Sequence, residues 1–295
     1  MNLYRLAVRI AVALAMTLPA TAQSLTGAID MHMHADPDGT PRNIDAIDLA
    51  KLAKARGMRA IVLKNHYETT ASLAYIVRKE VPGIEVFGGI TMDLTNGGVN
   101  PAAVEWMAKI KGGYGKIVWM PTFDAEYVVT KSKENRPFAR VSKDGKLLPE
   151  VEKVIGIIAK NNMVLETGHV SPAEVLMLVK EGKRQGVKNI LVTHATNDAP
   201  GLSAEQVKEV AQLGAYSEFV WSNAQGAGLA SWIKAIRAAG PEWCVISSDL
   251  GRADRPPHLD GLVQLYKILQ DQGFTDAEVA QMSKTNPAKL LGLAP

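Results

Sequence analysis

The sequence predicts an α/β protein folded as a single (β/α)8 TIM barrel, and three observations predict it. A short apolar run, a polar loop and an amphipathic helix recur about every 30 residues, the rhythm of parallel strands joined by helical crossovers. Eight such units lie between Gly27 and Leu291, and eight parallel strands close a sheet without leaving an edge. An open doubly wound sheet would carry a glycine-rich phosphate or dinucleotide fingerprint after its first strand. Met31-His32-Met33-His34 stands there instead.

The elements follow in order. The first strand covers roughly Gly27 to His32, and residues 45–56 form a helix with apolar Ile44, Ile47, Ala50, Leu52 and Ala55, stopped by Gly57. Strand two is Ala60 to Leu63, its helix runs from about Thr70 to Glu80 ahead of Pro82, and strand three is Ile84 to Phe87. Pro101 opens the next helix, and Lys116 to Met120 form strand four. The stretch between Pro121 and Pro149 is the longest irregular segment, with Lys143-Asp144-Gly145-Lys146 as a hairpin turn; it has the place of a lid over a site. A helix from Val151 to Lys160 then leads to strand five, Met163 to Glu166. Ser171-Pro172, and the capping box of Ser203 with Gln206, open the helices on either side of strand six, Asn189 to Thr193. Strand seven is Ala215 to Val220, followed by a helix from Ala230 to Ala238 and by strand eight, Trp243 to Ser247. A helix from Leu259 to Gln270 and helical pieces at Asp276 to Met282 and Ala288 to Leu291 close the chain.

The first residues stand outside this rhythm. Arg5 and Arg9 precede an apolar run from Ile10 to Leu18, and Ala20-Thr21-Ala22 is a small-x-small cleavage pattern, so residues 1–22 read as a secretory signal peptide. The run is too short and too interrupted for a membrane span, which needs roughly 20 apolar residues. A soluble periplasmic or secreted protein is expected, with no membrane anchor after cleavage. Residues 23–295 then form one domain. A hydrophobic fraction of 47% with 21% charged residues is ordinary for a globular enzyme. A net charge of +3 without a concentrated basic stripe gives no nucleic-acid footprint. The single cysteine, Cys244, excludes an internal disulfide and sits in an apolar run, as a buried small hydrophobe does. The remaining partner class is a small-molecule substrate, with the chain alone or as a homo-oligomer.

In such a barrel, chemistry sits where strands end and loops begin. His32 and His34 lie two apart at the end of strand one, so an extended strand turns both to one face, where they can share a metal ion. Lys64 and His66 follow strand two, Glu166 and His169 end strand five, His194 follows strand six and Asp249 follows strand eight. His258 is in the loop after strand eight, so all six histidines fall at one end of the barrel. His32, His34, His169, His194 and Asp249 form a candidate set of neutral nitrogens with one carboxylate. It suits Zn²⁺ first, with Fe²⁺ or Mn²⁺ as alternatives. Asp249 is the candidate base, and His194 the candidate for orienting water or polarising a carbonyl. Asp93, Arg252 and His258 are candidate substrate contacts. Asp36, Asp38, Arg42, Asp124, Trp221 and Asn223 are further rim residues.

With these residues in place, the chain resembles the amidohydrolase superfamily of metal-dependent hydrolases. The resemblance rests on the His-x-His after strand one, Thr167-Gly168-His169, Val192-Thr193-His194-Ala195, Asp249, and the closing Asn286-Pro287-Ala288-Lys289-Leu290-Leu291-Gly292. It implies one or two divalent metals and hydrolysis at an amide, lactone, ester or related centre. A decarboxylase or deaminase on the same scaffold is the alternative enzyme, and an exported binding protein without turnover the alternative of another class. The pattern departs from the superfamily at strand four, which ends Trp119-Met120-Pro121-Thr122 where a bridging lysine or glutamate is usual. Lys64, His66 and Glu166 are the candidates for a second metal or for substrate.

Overall fold

The computed structural model describes residues 24–226 and 228–294; the expected signal peptide, residues 1–22, lies outside them. Eight parallel strands follow one another around a barrel: β1 (Ile29–Met33), β2 (Ala60–Leu63), β3 (Glu85–Thr91), β4 (Gly115–Trp119), β5 (Val164–Glu166), β6 (Asn189–Val192), β7 (Tyr216–Val220) and β8 (Cys244–Ser247). The helices are α1 (Ala46–Ala55), α2 (Ala71–Glu80), α3 (Pro101–Ala108), α4 (Glu126–Lys131), α5 (Pro149–Lys160), α6 (Pro172–Arg184), α7 (Ala204–Gln212), α8 (Gly228–Ala239), α9 (His258–Asp271), α10 (Asp276–Ala280) and α11 (Asn286–Leu291). Among the described residues no helix is long and apolar enough to cross a membrane.

Caps fix several starts as read from sequence. Asp45 accepts from the N–H groups of Ile47 and Asp48, and Ser171 and Ser203 form capping boxes with Glu174 and Gln206. Two elements differ from expectation. Strand β3 runs on to Thr91, past Gly88 and Gly89, because their missing side chains let the strand lie close to neighbouring backbone. The segment between Pro121 and Pro149 contains α4, which the sequence does not announce, beside the expected hairpin, an antiparallel ladder of Ser142–Lys143 with Lys146–Leu147. It is held in place by its own contacts: Ala139 N–H donates to the Asp124 carbonyl at 2.7 Å, and Ser142 Oγ to Glu174 of α6 at 2.7 Å.

The barrel has an outer and an inner apolar layer. The outer one lies between sheet and helices. The inner one fills the barrel with Ile29, Met31, Val62, Ile117, Trp119 and Leu191, and is plugged from below by Ala288, Leu290 and Leu291 of α11. Asn286 holds that plug by donating to the Pro241 and Cys244 carbonyls at 2.9 and 2.7 Å, at the start of β8. The polar centre therefore lies at the opposite, carboxyl end.

Closure between β1 and β8 occurs at that carboxyl end. The N–H of Asp249 donates to the His32 carbonyl at 2.9 Å, and the N–H of His34 to the Leu250 carbonyl at 3.0 Å. The following residue, Gly251, has φ +137°, and a Cβ there would stand 2.1 Å from the His34 carbonyl oxygen. Gly251→Ala should therefore lower stability by about 2 kcal/mol or more, read as a shift in the urea midpoint; an unchanged midpoint would remove this closure from the account of the fold.

Candidate metal centre

Strand β1 carries a bulge. Asp30 pairs with Ile61 and Met33 with Leu63, so one extra residue is accommodated between them. This is how Met31 joins the inner apolar layer and His32, the next residue, also reaches the barrel interior. The His32 N–H donates to Asp30 Oδ1 at 2.9 Å, and the same carboxylate accepts the Ser248 N–H at 3.1 Å. Burial raises the Asp30 carboxyl to about 7, against the lowering effect of these hydrogen bonds.

Asp249 Oδ1 stands 3.0 Å from His32 Nε2 and 3.3 Å from His34 Nε2, and ligand atoms of the three residues lie within 4.8 Å of one another. Donor atoms sharing an ion at about 2.1 Å stand roughly 3.4 Å apart in a tetrahedral set. The first-strand pair and the strand-eight carboxylate therefore fit one divalent cation in spacing and in chemistry. Beside them, His169 Nε2 and His194 Nε2 face each other at 3.0 Å. Burial holds His194 down to about 4 and His169 well below the usual imidazole range, so both are neutral and able to offer a lone pair. His34, buried likewise, is lowered to about 3. The buried Nδ1 atoms of His34 and His194 have no hydrogen-bond partner.

His32 differs in protonation. Burial disfavours its charge, but the Asp249 carboxylate beside it holds it up to about 10. Its Nδ1 lies 3.1 Å from Glu218 Oε2, and that oxygen also accepts the His194 N–H at 3.1 Å. Glu218, on β7, thus orients two of the candidate ligands at once, the role carboxylates take behind metal-bound histidines. It was not among the residues singled out from sequence. The available signal was a lone acid in the middle of a predicted strand, Tyr216-Ser217-Glu218-Phe219-Val220.

Lys64 is fully buried, with Nζ 2.9 Å from His32 Nε2; burial lowers its pKa. His66 bonds through Nδ1 to Thr122 Oγ1 at 2.7 Å and lies between His34 and Phe123, with ring centroids at 5.0 and 3.9 Å. Both line the cavity. Glu166 does not line it: Oε2 accepts from Thr193 Oγ1 at 2.9 Å, Oε1 has no partner, and burial together with the nearby Glu218 charge raises it to about 8.

The expected substrate contacts divide. Arg252 lines the cavity, together with Arg42 and Trp221. Asp93 does not: it is buried and accepts from the N–H groups of Thr122 and Asp124 at 2.8 and 3.0 Å, setting the threonine that holds His66. His258 is corrected as well. It is the first residue of α9, buried, with Nε2 2.8 Å from the His34 carbonyl and outside the cavity lining, so it braces the backbone of a candidate ligand. Asp36 and Asp38 bind the Arg42 backbone and guanidinium, Asp124 pairs with Arg136, and Asn223 bonds to Thr196. Within the segment expected to form a lid, Phe123 is the cavity-lining residue among those described. The cavity measures about 220 Å³.

Two of the chemically important residues hold unusual backbone. His194 and Asp249 have φ of +26° and +50°, the left-handed region that side chains other than glycine rarely adopt, and such strain gathers at sites. Gly168, beside His169, has φ +65°, and a Cβ there would stand 2.2 Å from the Met120 carbonyl oxygen, so that turn requires glycine.

Comparison with known families adds to this picture. The family described as "Family of unknown function (DUF6282)" matches residues 27–218. The chain belongs to that family. The matched span carries every candidate ligand of this DUF6282 chain except Asp249, and ends on Glu218. No curated protein matches it. Among solved structures it is similar to the organophosphorus hydrolase from Deinococcus radiodurans, at 15% identity over 91% of this chain and 93% of that one, TM-score 0.60. It is also similar to 2,6-dihydroxybenzoate decarboxylase from Rhizobium, at 12% identity over 90% of this chain and 99% of that one, TM-score 0.58. Likeness at such identity shows the fold, and that fold is the (β/α)8 barrel expected from the eight strand-helix units.

His32→Ala and His34→Ala should each abolish stoichiometric metal uptake, measured as metal content after dialysis. Glu218→Gln should weaken it by about 10- to 100-fold. Full retention in the histidine variants would sink the centre.

Proposed function

We propose that this chain is an exported, metal-dependent hydrolase of amidohydrolase type, acting on an amide, lactone or ester bond of a small molecule. One observation carries the reading: the Asp249 carboxylate within 3.3 Å of two imidazole nitrogens, beside the facing His169 and His194, at the floor of a cavity at the carboxyl end of the barrel. His32, His34 and Asp249 would hold a divalent cation, Zn²⁺ first by the donor set, with His169 and His194 as further ligands for the same ion or a second. When bound, the cation supplies Lewis acidity and brings the pKa of a coordinated water toward ~7.

The protein's own groups do the rest. Asp249 takes a proton from the attacking water and passes it to the leaving atom, a role that suits a carboxylate kept ionised: burial opposes its charge, but His32 and His34 hold its pKa well below the usual range. His194, neutral and with its Nε2 at the cavity, orients water or the substrate's carbonyl oxygen. Glu218 keeps His32 and His194 in register. The apolar barrel beneath lets charged groups act in a medium poorer in water, where their interactions are stronger. Export is proposed from the N-terminal sequence pattern alone.

Decarboxylation is the second reading, favoured by the likeness to 2,6-dihydroxybenzoate decarboxylase over 90% of the chain. An assay panel separates the two: lactones, amides and esters for hydrolysis, and aromatic acids for CO₂ release. Asp249→Asn should lower kcat by about 10²- to 10⁴-fold on the productive substrate. Stoichiometric metal with every panel member untouched would remove the enzymatic reading and leave a metal-dependent binding protein.

A further inference from the structure

The cavity mouth is asymmetric in charge. Arg42 comes from the loop after β1, and Arg252 and Arg255 from the loop after β8. These loops are tied by the Asn43 N–H donating to the Gly251 carbonyl at 2.9 Å, so the three arginines share one side. Asp249 is the one carboxylate among the described residues that line the cavity. The opposite side, four strands round the barrel, presents the Phe123 ring, which stacks on His66 with centroids 3.9 Å apart.

The three guanidinium groups are not equivalent. Arg42 is bound to Asp38 by two contacts of 2.7 and 2.8 Å, and Arg252 to Asp254 by two of 2.9 Å. Arg255 has no carboxylate partner among the described residues. It lies 5.6 Å from the centroid of the Trp221 ring, and that ring is fixed by its own Nε1 donating to Gln264 at 2.8 Å. A guanidinium resting on a fixed aromatic ring is oriented without using its hydrogen-bonding fork.

We propose that the substrate of this centre carries a carboxylate remote from its reacting bond, received by Arg255 at the cavity mouth, with the substrate body reaching toward Phe123. The proposal rests on the hydrolase reading for the identity of the reacting bond, but its charge argument concerns binding alone. A carboxylate pairs with one free guanidinium fork in two parallel bonds, as a phosphate also does, and the titration below separates the two. Arg252 and Arg42, each paired with an aspartate, set the shape of the receiving side and leave Arg255 as its unpaired positive charge among the described residues.

Calorimetric titration tests this without requiring turnover. Glutarate, neutral glutaramide and inorganic phosphate are titrated into the wild-type protein and into Arg255→Gln, with Lys267→Gln, an equal loss of charge on the exposed face of α9, as control. Wild type should bind glutarate at least about tenfold more tightly than glutaramide, a preference lost in Arg255→Gln and kept in Lys267→Gln. Equal affinities in wild type, a glutarate preference that survives Arg255→Gln, or tighter binding of phosphate than of glutarate would each overturn the proposal. An Arg255-dependent glutarate preference with every hydrolysis substrate untouched would leave it standing and remove the hydrolase reading; turnover of neutral esters without that preference would do the reverse.

Discussion

The buried carboxylate of Asp30 joins the first strand to the last, and the polar centre is built on that junction. One side chain accepts the His32 N–H, which the bulge in β1 withholds from regular strand pairing, and the Ser248 N–H one residue before Asp249. A buried acid is costly unless its oxygens are used, and here peptide groups from both strands use them. Without it, the bulge would leave an unpaired peptide N–H in the interior, and His32 and Asp249 would lose their common reference point. The left-handed backbone at Asp249 is held by the same junction, since its N–H donates to the His32 carbonyl.

Above the junction, polar groups are paired in a layer that an apolar barrel would otherwise exclude. His32 stands between Glu218 and Asp249, with Lys64 against its Nε2. His32 has a carboxylate at each ring nitrogen, the condition under which a buried ionic group persists, while burial lowers the pKa of Lys64. Below, Trp119, Ile117 and the α11 plug keep the barrel dry. The contrast between these layers confines the reactive groups to one end.

Much of this was legible in the chain, because strands and chemistry follow short-range rules. The recurrence of strand and helix identified all eight barrel strands, and the capping signals at Ser171 and Ser203 located helix starts closely. Strand-end placement brought His32, His34, His169, His194 and Asp249 into one region. What escaped depends on contacts between distant segments. Glu218 acquires its role only when β7 lies beside β6 and near His32. His258 looks like a rim histidine in sequence, but as the first residue of α9 it is buried against the His34 carbonyl. Asp93 supports Thr122 from thirty residues' distance, a relation that spacing along one strand cannot reveal. Helix α4 was missed because six residues are too few for an apolar period to stand out.

The order of the candidate ligands along the chain has a consequence for how the molecule is made. The imidazoles arrive with the first, fifth and sixth strands, but the carboxylate that joins them comes from the last. A nascent chain lacking β8 has Glu218 but not the carboxylate that His32 and His34 share, and a sheet with two open edges. Any ligand that spans β1 and β8 binds the finished barrel alone, and so adds its binding free energy to the stability of that state. Assembly of the centre and completion of the fold are one event, and ligand affinity measures both.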